Sequence, residues 1–182
     1  MSVININQRY KSSTRIDSKT IVSSDFIENF ILHGTAINVL ETVSRDFAAK
    51  QQSTYTLTGP YGTGKSTIAL FLSFLLSPDE NVRSQASAKL TAKQPKLKSI
   101  TDSFDLKKGW KIVKHVCGLE SPLEGITKSV AEQLSVSVEP NVKDVMRTIS
   151  NEAKNHDGVL LLLDELGKAL DYSANNNQDL YL

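Results

Sequence analysis

The stretch Gly59-Pro60-Tyr61-Gly62-Thr63-Gly64-Lys65-Ser66 decides the fold that the sequence predicts. It fits the pattern Gly-x-x-x-x-Gly-Lys-Ser, in which the backbone N–H groups of a curled loop wrap a phosphate group. Gly59, Gly62 and Gly64 tolerate the dihedral angles that such a curl requires. The apolar run that follows predicts a buried helix over residues 65–76, and its N-terminal end would face the anion. We therefore expect a phosphate-binding loop at this position.

The residues next to these glycines supply the expected nucleotide chemistry. Tyr55 to Thr58 is short and β-branched, so a strand is predicted directly before the loop. Lys65 is expected to bridge the β- and γ-phosphates, and the Ser66 hydroxyl is expected to bind Mg²⁺. Thr67 would lie beside the α-phosphate, whereas Tyr61 either touches the nucleotide or is a surface position. The predicted nucleotide-binding set is Gly59, Pro60, Tyr61, Gly62, Thr63, Gly64, Lys65, Ser66 and Thr67.

A second motif, Leu160-Leu161-Leu162-Leu163-Asp164-Glu165, joins an apolar run to two carboxylates. The run from Val159 to Leu163 predicts a strand that is buried on both faces. A parallel strand delivers its carboxyl end to the ligand-binding edge of the sheet. We expect Asp164 to hold Mg²⁺, directly or through water, and Glu165 to activate the attacking water. Lys65 and Glu165 are therefore the predicted catalytic residues. Two adjacent carboxylates repel each other without a cation, which also favours a metal.

Three alternatives to an ATPase remain open. Asp164 and Glu165 would have no catalytic role if they only cap a following helix through Leu170. Asp164-Glu165-Leu166-Gly167 also fits the D-x-x-G pattern of GTPases, although the base-reading N-K-x-D pattern is not seen. The tetra-leucine strand and the long gap between Lys65 and Asp164 favour an ATPase over a GTPase. A third possibility is a switch that binds nucleotide without hydrolysing it.

The rest of the chain alternates helical and strand patterns, which predicts a parallel α/β sheet flanked by helices. Residues 1–24 are rich in Ser, Asn, Lys and Thr, and we expect them to form an N-terminal arm before one domain over residues 25–182. Ser121-Pro122-Leu123-Glu124 predicts a capping box, and Asn141 is expected to cap the next helix. Further helices are predicted at residues 26–31, 35–50 and around 82–90, and a further strand at 111–117.

Composition narrows the class of protein. A length of 182 residues with 40% hydrophobic and 23% charged residues suits one globular domain. The net charge of +1 argues against binding of polyanions by bulk charge. The single cysteine, Cys117, excludes an internal disulfide and is expected to be a small buried hydrophobe. No signal-peptide pattern and no apolar run near the ~20 residues of a membrane span occur, so we expect a cytoplasmic protein without membrane contact.

A lysine-rich region is the one feature that suggests nucleic acid as a partner. Trp110 lies within it, and we consider stacking of its indole on a base. The simpler alternative is a solvated helix face and loop, which we favour. His33, His115 and His156 show no ligand-like spacing with Cys117, so structural or surface roles are expected for them. The lysines are Lys89, Lys93, Lys96, Lys98, Lys107, Lys108, Lys111 and Lys114.

The loop from Gly59 to Thr67, followed by the strand from Leu160 to Glu165, resembles the P-loop ATPases that use a catalytic glutamate, especially the AAA+ and STAND-type branches. The stretch Asp164-Glu165-Leu166-Gly167-Lys168 is similar to large bacterial ATPases associated with DNA processing and phage defence. The resemblance covers roughly Phe26 to the C-terminus. It implies binding and hydrolysis of ATP with Mg²⁺, and self-association or a partner subunit that supplies an arginine.

The same resemblance implies a sheet with the strand order 5-1-4-3-2. The predicted strands at Tyr55, Val113 and Val159 would be the first, second and third. The fourth strand of these ATPases lies between the first and the third and carries a polar sensor residue, and no candidate for it follows Glu165 before Leu182. We therefore expect a P-loop NTPase core that is incomplete after the acidic motif.

Overall fold

The computed structural model describes residues 15–176, which form an α/β structure with eight α-helices and a two-stranded parallel sheet. The predicted α/β class is confirmed at this level. Part of the predicted N-terminal arm, residues 1–14, and the last six residues of the predicted domain lie outside the described residues. The elements are α1 (Ser23–Asn29), α2 (Gly34–Ala48), α3 (Lys65–Leu75), α4 (Glu80–Lys93), a 3₁₀ turn (Pro95–Leu97), α5 (Lys98–Asp102), β1 (Trp110–Val116), α6 (Pro122–Leu134), α7 (Val142–Ala153), β2 (Gly158–Asp164) and α8 (Leu166–Asn175).

The sheet consists of β1 and β2, paired in parallel from Trp110 opposite Gly158 to Val116 opposite Asp164. A parallel pair needs a crossover connection, and here α6 and α7 provide it. The backbone N–H of Cys117 donates to Asp164 O at 2.9 Å and extends the pairing past the end of β1. The predicted strands at 111–117 and 159–163 are confirmed to within one residue at each end.

One face of the sheet is covered by the helices α1 to α5. Their core is rich in aromatic rings: Phe30 stacks on Phe71 with 4.2 Å between ring centroids. Trp110 packs edge-on against Phe47 and Phe104, at 5.0 Å and 5.9 Å, and is only 9% exposed. The suggestion that Trp110 stacks on a base is therefore wrong. Its indole points from the first residue of β1 into the helical core.

The other face is covered by α6 and α7. Val113, Ile126, Val130 and Val145 form this second core. The leucines of β2 divide between the two faces, since Leu160 packs with the first core and its neighbours Val159, Leu161 and Leu163 pack with the second. All seven residues of β2 are nevertheless only half-buried, so the predicted burial of this strand on both faces is met only in part.

The predicted strand from Tyr55 to Thr58 is wrong, because no strand forms there in the part of the chain that the structure describes. Tyr55 and Leu57 are half-buried while Thr56 and Thr58 are exposed, which is the alternation of an extended chain. The backbone of residues 55–58 makes no hydrogen bond to another described residue. A β-branched pattern favours extended backbone, but a strand also needs a neighbour, and the local sequence does not provide one.

The two edges of the sheet differ. On the outer edge of β1, the Gln133 side chain accepts from the Lys114 N–H at 2.9 Å and donates to the Lys114 carbonyl at 2.7 Å. This amide fills both backbone hydrogen-bonding positions of Lys114, so a neighbouring strand could not pair with β1 at that residue. Within residues 15–176, no strand pairs with the opposite edge of β2. Unlike β1, β2 has no such side-chain amide on its edge among the described residues.

Two helix starts test the capping predictions. Asn141 caps α7 as predicted, because its side chain accepts from the Asp144 N–H at 2.8 Å. Ser121 occupies the N-cap position of α6, and Pro122 is the first residue of that helix, but the Ser121 side chain makes no capping hydrogen bond. The predicted capping box is therefore wrong in its side-chain contacts, although the helix begins where it was expected.

Asp157 fixes the starts of both strands. Its Oδ2 atom accepts from the backbone N–H groups of Lys107, Lys108 and Gly109 at 2.6, 2.6 and 2.7 Å. Burial alone would raise the pKa of this carboxyl, but the three donors and the nearby Arg83 guanidinium outweigh burial and lower the pKa. Gly109 has a φ of 77°, and a Cβ there would lie 2.2 Å from Ser77 O. The loop before β1 therefore depends on the Asp157 carboxylate and on a glycine.

Asp157→Asn should lower the free energy of unfolding at pH 7 by about 1–3 kcal/mol, because a neutral amide replaces a charged acceptor for three donors. The lowered pKa means that this stabilisation is complete above the unfolded value, about 3.9, and is lost as the pH falls through the folded pKa. Urea unfolding at pH 7 and near pH 3 would measure the difference. Asp171→Asn, an exposed change on α8, is the control. Equal stabilities of Asp157→Asn and wild type at pH 7 would contradict a stabilising role for the three hydrogen bonds to the Asp157 carboxylate.

Candidate functional site

The glycine-rich loop curls as the sequence predicted. Gly59, Gly62 and Gly64 have φ values of 152°, 81° and 83°, which residues with a Cβ rarely adopt. Gly64 is left-handed and occupies the N-cap position of α3, so the chain turns from loop to helix at this glycine. The predicted glycine positions are thus the positions at which the backbone needs them.

The loop and the first turn of α3 present a run of unpaired amides. No described residue accepts a hydrogen bond from the backbone N–H groups of residues 62–67. The first N–H groups of any helix lack an internal partner, and the aligned peptide dipoles make that end of the helix positive. Here the glycine turn extends the run of unpaired donors backwards into the loop, to residue 62. Successive free N–H groups of this kind are the type of donor that can bind an anion.

Lys65 folds back over this curl. Its Nζ donates to Gly59 O at 2.9 Å and to Pro60 O at 2.8 Å, while Thr63 Oγ1 donates to Pro60 O at 2.9 Å. The ammonium group therefore lies on the loop, held by two uncharged acceptors. Ser66 and Thr67 are half-buried in the first turn of α3. Tyr61 is 86% exposed, which fits a surface position.

The acidic pair lies where β2 meets α8. Asp164 ends the strand and Glu165 forms a one-residue junction before Leu166 begins the helix. Asp164 Oδ1 accepts from the Glu165 N–H at 3.0 Å, and Glu165 Oε2 lies 2.5 Å from Lys168 Nζ. Glu165 occupies the N-cap position of α8, but its side chain makes no capping bond. The two carboxylates therefore point to different partners.

The loop and the acidic pair belong to neighbouring elements. Helix α3 contacts β2, and Leu160 of β2 packs in the same core as Ile68 and Phe71 of α3. Among the described residues, neither Asp164 nor Glu165 forms a hydrogen bond or ion pair with Lys65 or Ser66. The structure thus places the two motifs on packed elements without direct contact between their side chains.

Asp164 and Ser66 are the side chains of this region that could take part in holding a metal ion. No group of three or more His, Cys, Asp or Glu residues in the described ranges is arranged to hold an ion. Mg²⁺ usually takes one or two carboxylates together with phosphate oxygens and water. The Asp164 carboxylate and the Ser66 hydroxyl match that partial donor set, and the unpaired amides of the loop match the phosphates.

Residues predicted to have other roles lie mostly in structural contacts. The Lys114 ammonium sits 5.6 Å from the centre of the Phe74 ring, and burial lowers its pKa, so Lys114 does not belong to an exposed basic surface. His115 Nδ1 is 2.9 Å from Ser129 Oγ, and burial lowers the pKa of that imidazole. Cys117 is buried, as predicted, and burial is the main reason that the pKa of its thiol is raised.

The sequence analysis missed two side chains that shape this region. Lys168 follows Glu165 at the i, i+3 spacing of a helical ion pair, so a signal for it was present in the sequence. Gln133 had no such signal, because its role depends on how α6 lies along the edge of β1.

Comparisons of the chain with protein-family models, with curated proteins and with solved structures found no match. Of the helices in residues 15–176, none is long and apolar enough to cross a membrane.

Two glycine substitutions test the loop geometry. A Cβ added at Gly64 or at Gly167 meets no heavy atom within 4 Å, so neither change is prevented by a clash. Gly64→Ala should still destabilise the protein by about 1–2 kcal/mol, because alanine is strained at a φ of 83°. Gly167→Ala, inside α8, should be neutral or stabilise by up to about 1 kcal/mol. Thermal or urea unfolding of both variants measures this, and equal effects would argue against the left-handed turn at Gly64.

Proposed function

We propose that this chain binds ATP with Mg²⁺ at residues 59–67 and hydrolyses it, as the core of an AAA+-like P-loop ATPase. The observation that carries the proposal is the run of unpaired N–H groups from residue 62 to residue 67 beside the Lys65 ammonium. The N–H groups of residues 65–67 are the free donors of an ordinary helix start, and the glycine turn adds those of residues 62–64 to the same run. It is well suited to a polyphosphate.

Lys65 would change partners when nucleotide binds. Its present acceptors, the carbonyls of Gly59 and Pro60, are uncharged. Phosphate oxygens are charged and form shorter and stronger hydrogen bonds with an ammonium group. The exchange of the two carbonyls for the β- and γ-phosphates is therefore favourable. The Lys65 ammonium already lies on the loop at which the phosphates would bind.

Asp164 and Glu165 would have different roles, in metal binding and in activation of water. Asp164 and the Ser66 hydroxyl would hold Mg²⁺, which supplies neutralisation of the charge on the phosphate oxygens when it is bound. Glu165 would orient a water molecule for in-line attack on the γ-phosphate and accept its proton. Packing of α3 on β2 supports a shared site, because it holds the two motifs on adjacent elements.

The sheet supports a P-loop fold with the strand order 5-1-4-3-2. In that order the second and third strands are neighbours and the second lies at the edge, which agrees with the pairing of β1 with β2 and with the Gln133 amide on the outer edge of β1. We propose that a further strand pairs with the open edge of β2, between β2 and residues 55–58. The unpaired backbone of residues 55–58 agrees with this arrangement.

Self-association or a partner subunit would supply an arginine to the γ-phosphate, and a cytoplasmic location remains the expectation. A nucleotide-dependent switch without hydrolysis is the second candidate, favoured because neither Asp164 nor Glu165 contacts Lys65 or Ser66 by a hydrogen bond or ion pair. Phosphate release from pure protein separates the switch from the ATPase. Competition between ATP and GTP for the site separates the ATPase from a GTPase that uses Asp164 to Gly167.

Lys65→Ala should abolish binding of MgATP, because it removes the one cation on the loop from the β- and γ-phosphates. Glu165→Gln should keep binding but lower turnover by about 10²–10⁴-fold, the usual contribution of a general base. Calorimetry of nucleotide binding and an assay of released phosphate measure the two effects. Lys143→Ala, an exposed change on α7, is the matched control. Unchanged turnover in Glu165→Gln would exclude that residue from the mechanism. Normal binding of MgATP by Lys65→Ala would contradict the proposed nucleotide site at residues 59–67.

A further inference from the structure

Glu165 has an unusual backbone conformation. Its φ and ψ are 55° and 31°, in the left-handed region that a residue with a Cβ seldom occupies. The reason is local: β2 ends at Asp164 and α8 begins at Leu166, so one residue must turn the chain from strand to helix. Non-glycine residues in this conformation often mark functional sites, where the surrounding structure holds them in place.

The Glu165 carboxylate is held by Lys168. Oε2 lies 2.5 Å from Lys168 Nζ, and the Lys168 N–H donates to Glu165 O at 3.0 Å. The other carboxylate oxygen, Oε1, has no hydrogen-bond partner among the described residues. One oxygen is thus occupied and the other is left to accept a proton.

Helix stability does not explain a lysine at this position. Lys168 lies in the first turn of α8, where the positive end of the helix dipole disfavours a cation. The two side chains are 55% and 36% exposed, and exposed ion pairs of this kind add little to stability. What the pair does provide is orientation, because it removes rotational freedom from the Glu165 side chain.

We propose that Lys168 is a positioning residue for the hydrolysis proposed above, and this inference rests on that function. Lys168 binds Oε2 and thereby directs Oε1 towards the attacking water. In the step itself, the water oxygen bonds to the γ-phosphorus as the bond to the bridging oxygen of ADP breaks, and the water proton passes to Oε1. Lys168 touches neither the water nor the phosphate.

Kinetics provide the first test. Lys168→Met, which keeps the chain length and removes the charge, should lower kcat for MgATP by about 10- to 100-fold, the scale of a misplaced catalytic group. The dissociation constant for MgATP should stay within about twofold, because Lys168 makes no contact with nucleotide. Lys168→Arg should restore most of the turnover, since a guanidinium group can bind the same oxygen. Lys154→Met, which removes a lysine that donates to Asn151 Oδ1 on α7, should change neither quantity.

Spectroscopy provides a second test that does not require activity. In nucleotide-free protein labelled with ¹³C-glutamate, the Glu165 carboxyl resonance is identified by its loss in Glu165→Gln. It should move in Lys168→Met, stay near its original position in Lys168→Arg and be unchanged in Lys154→Met. An unchanged resonance in Lys168→Met would overturn the inference.

The kinetic outcomes separate the inference from the function on which it rests. If wild type hydrolyses ATP and Lys168→Met does so equally fast, the role of Lys168 is overturned while the ATPase stands. A loss of nucleotide affinity in parallel with turnover would also overturn it, because Lys168 would then act in binding or folding. If wild-type protein binds MgATP but releases no phosphate, both the ATPase and the role of Lys168 are overturned.

Discussion

Unpaired backbone amides at the start of α3 are the constraint on which the site depends. The backbone N–H groups of six successive residues, 62–67, donate to no described acceptor. Those of residues 65–67 are free because a helix begins there, and the left-handed turns at Gly62 and Gly64 join the loop amides to them. The Lys65 ammonium adds a positive charge to the same loop and is held there by the carbonyls of Gly59 and Pro60. The loop therefore presents its free donors at the positively polarised end of α3.

The sheet is organised around the same edge. Parallel pairing brings the carboxyl ends of β1 and β2 together, with Val116 opposite Asp164, and α3 packs on β2 from the face that carries the aromatic core. The Gln133 amide occupies the backbone groups of Lys114 on the outer edge of β1, which disfavours pairing of a further strand there. The Asp157 carboxylate fixes the opposite end of both strands. The position of Asp164 at the end of β2 is therefore fixed by the Asp157 contacts at the start of the strand and by pairing with β1 along its length.

Patterns with a strong local cause were predictable from sequence. The glycine turn, the helix after it and the apolar strand before Asp164 all follow from residue type and period, and each is confirmed. Features that need a distant partner were not predictable. Tyr55 to Thr58 has the composition of a strand, but no neighbouring strand pairs with it among the described residues. The burial of Trp110 depends on Phe47 and Phe104, which are distant along the chain, so the residues next to Trp110 gave no sign of it. The nucleotide itself, its hydrolysis and the completed sheet remain proposals.

Hydrogen exchange at the loop tests the central claim most directly. The amides of residues 62–67 are unpaired in the nucleotide-free chain and should exchange rapidly. Addition of MgATP should slow exchange of these amides by an order of magnitude or more, while the amides of α7, on the other face of the sheet, keep their rates. Unchanged exchange at residues 62–67 at saturating concentrations of both MgATP and MgGTP would contradict a phosphate-binding loop.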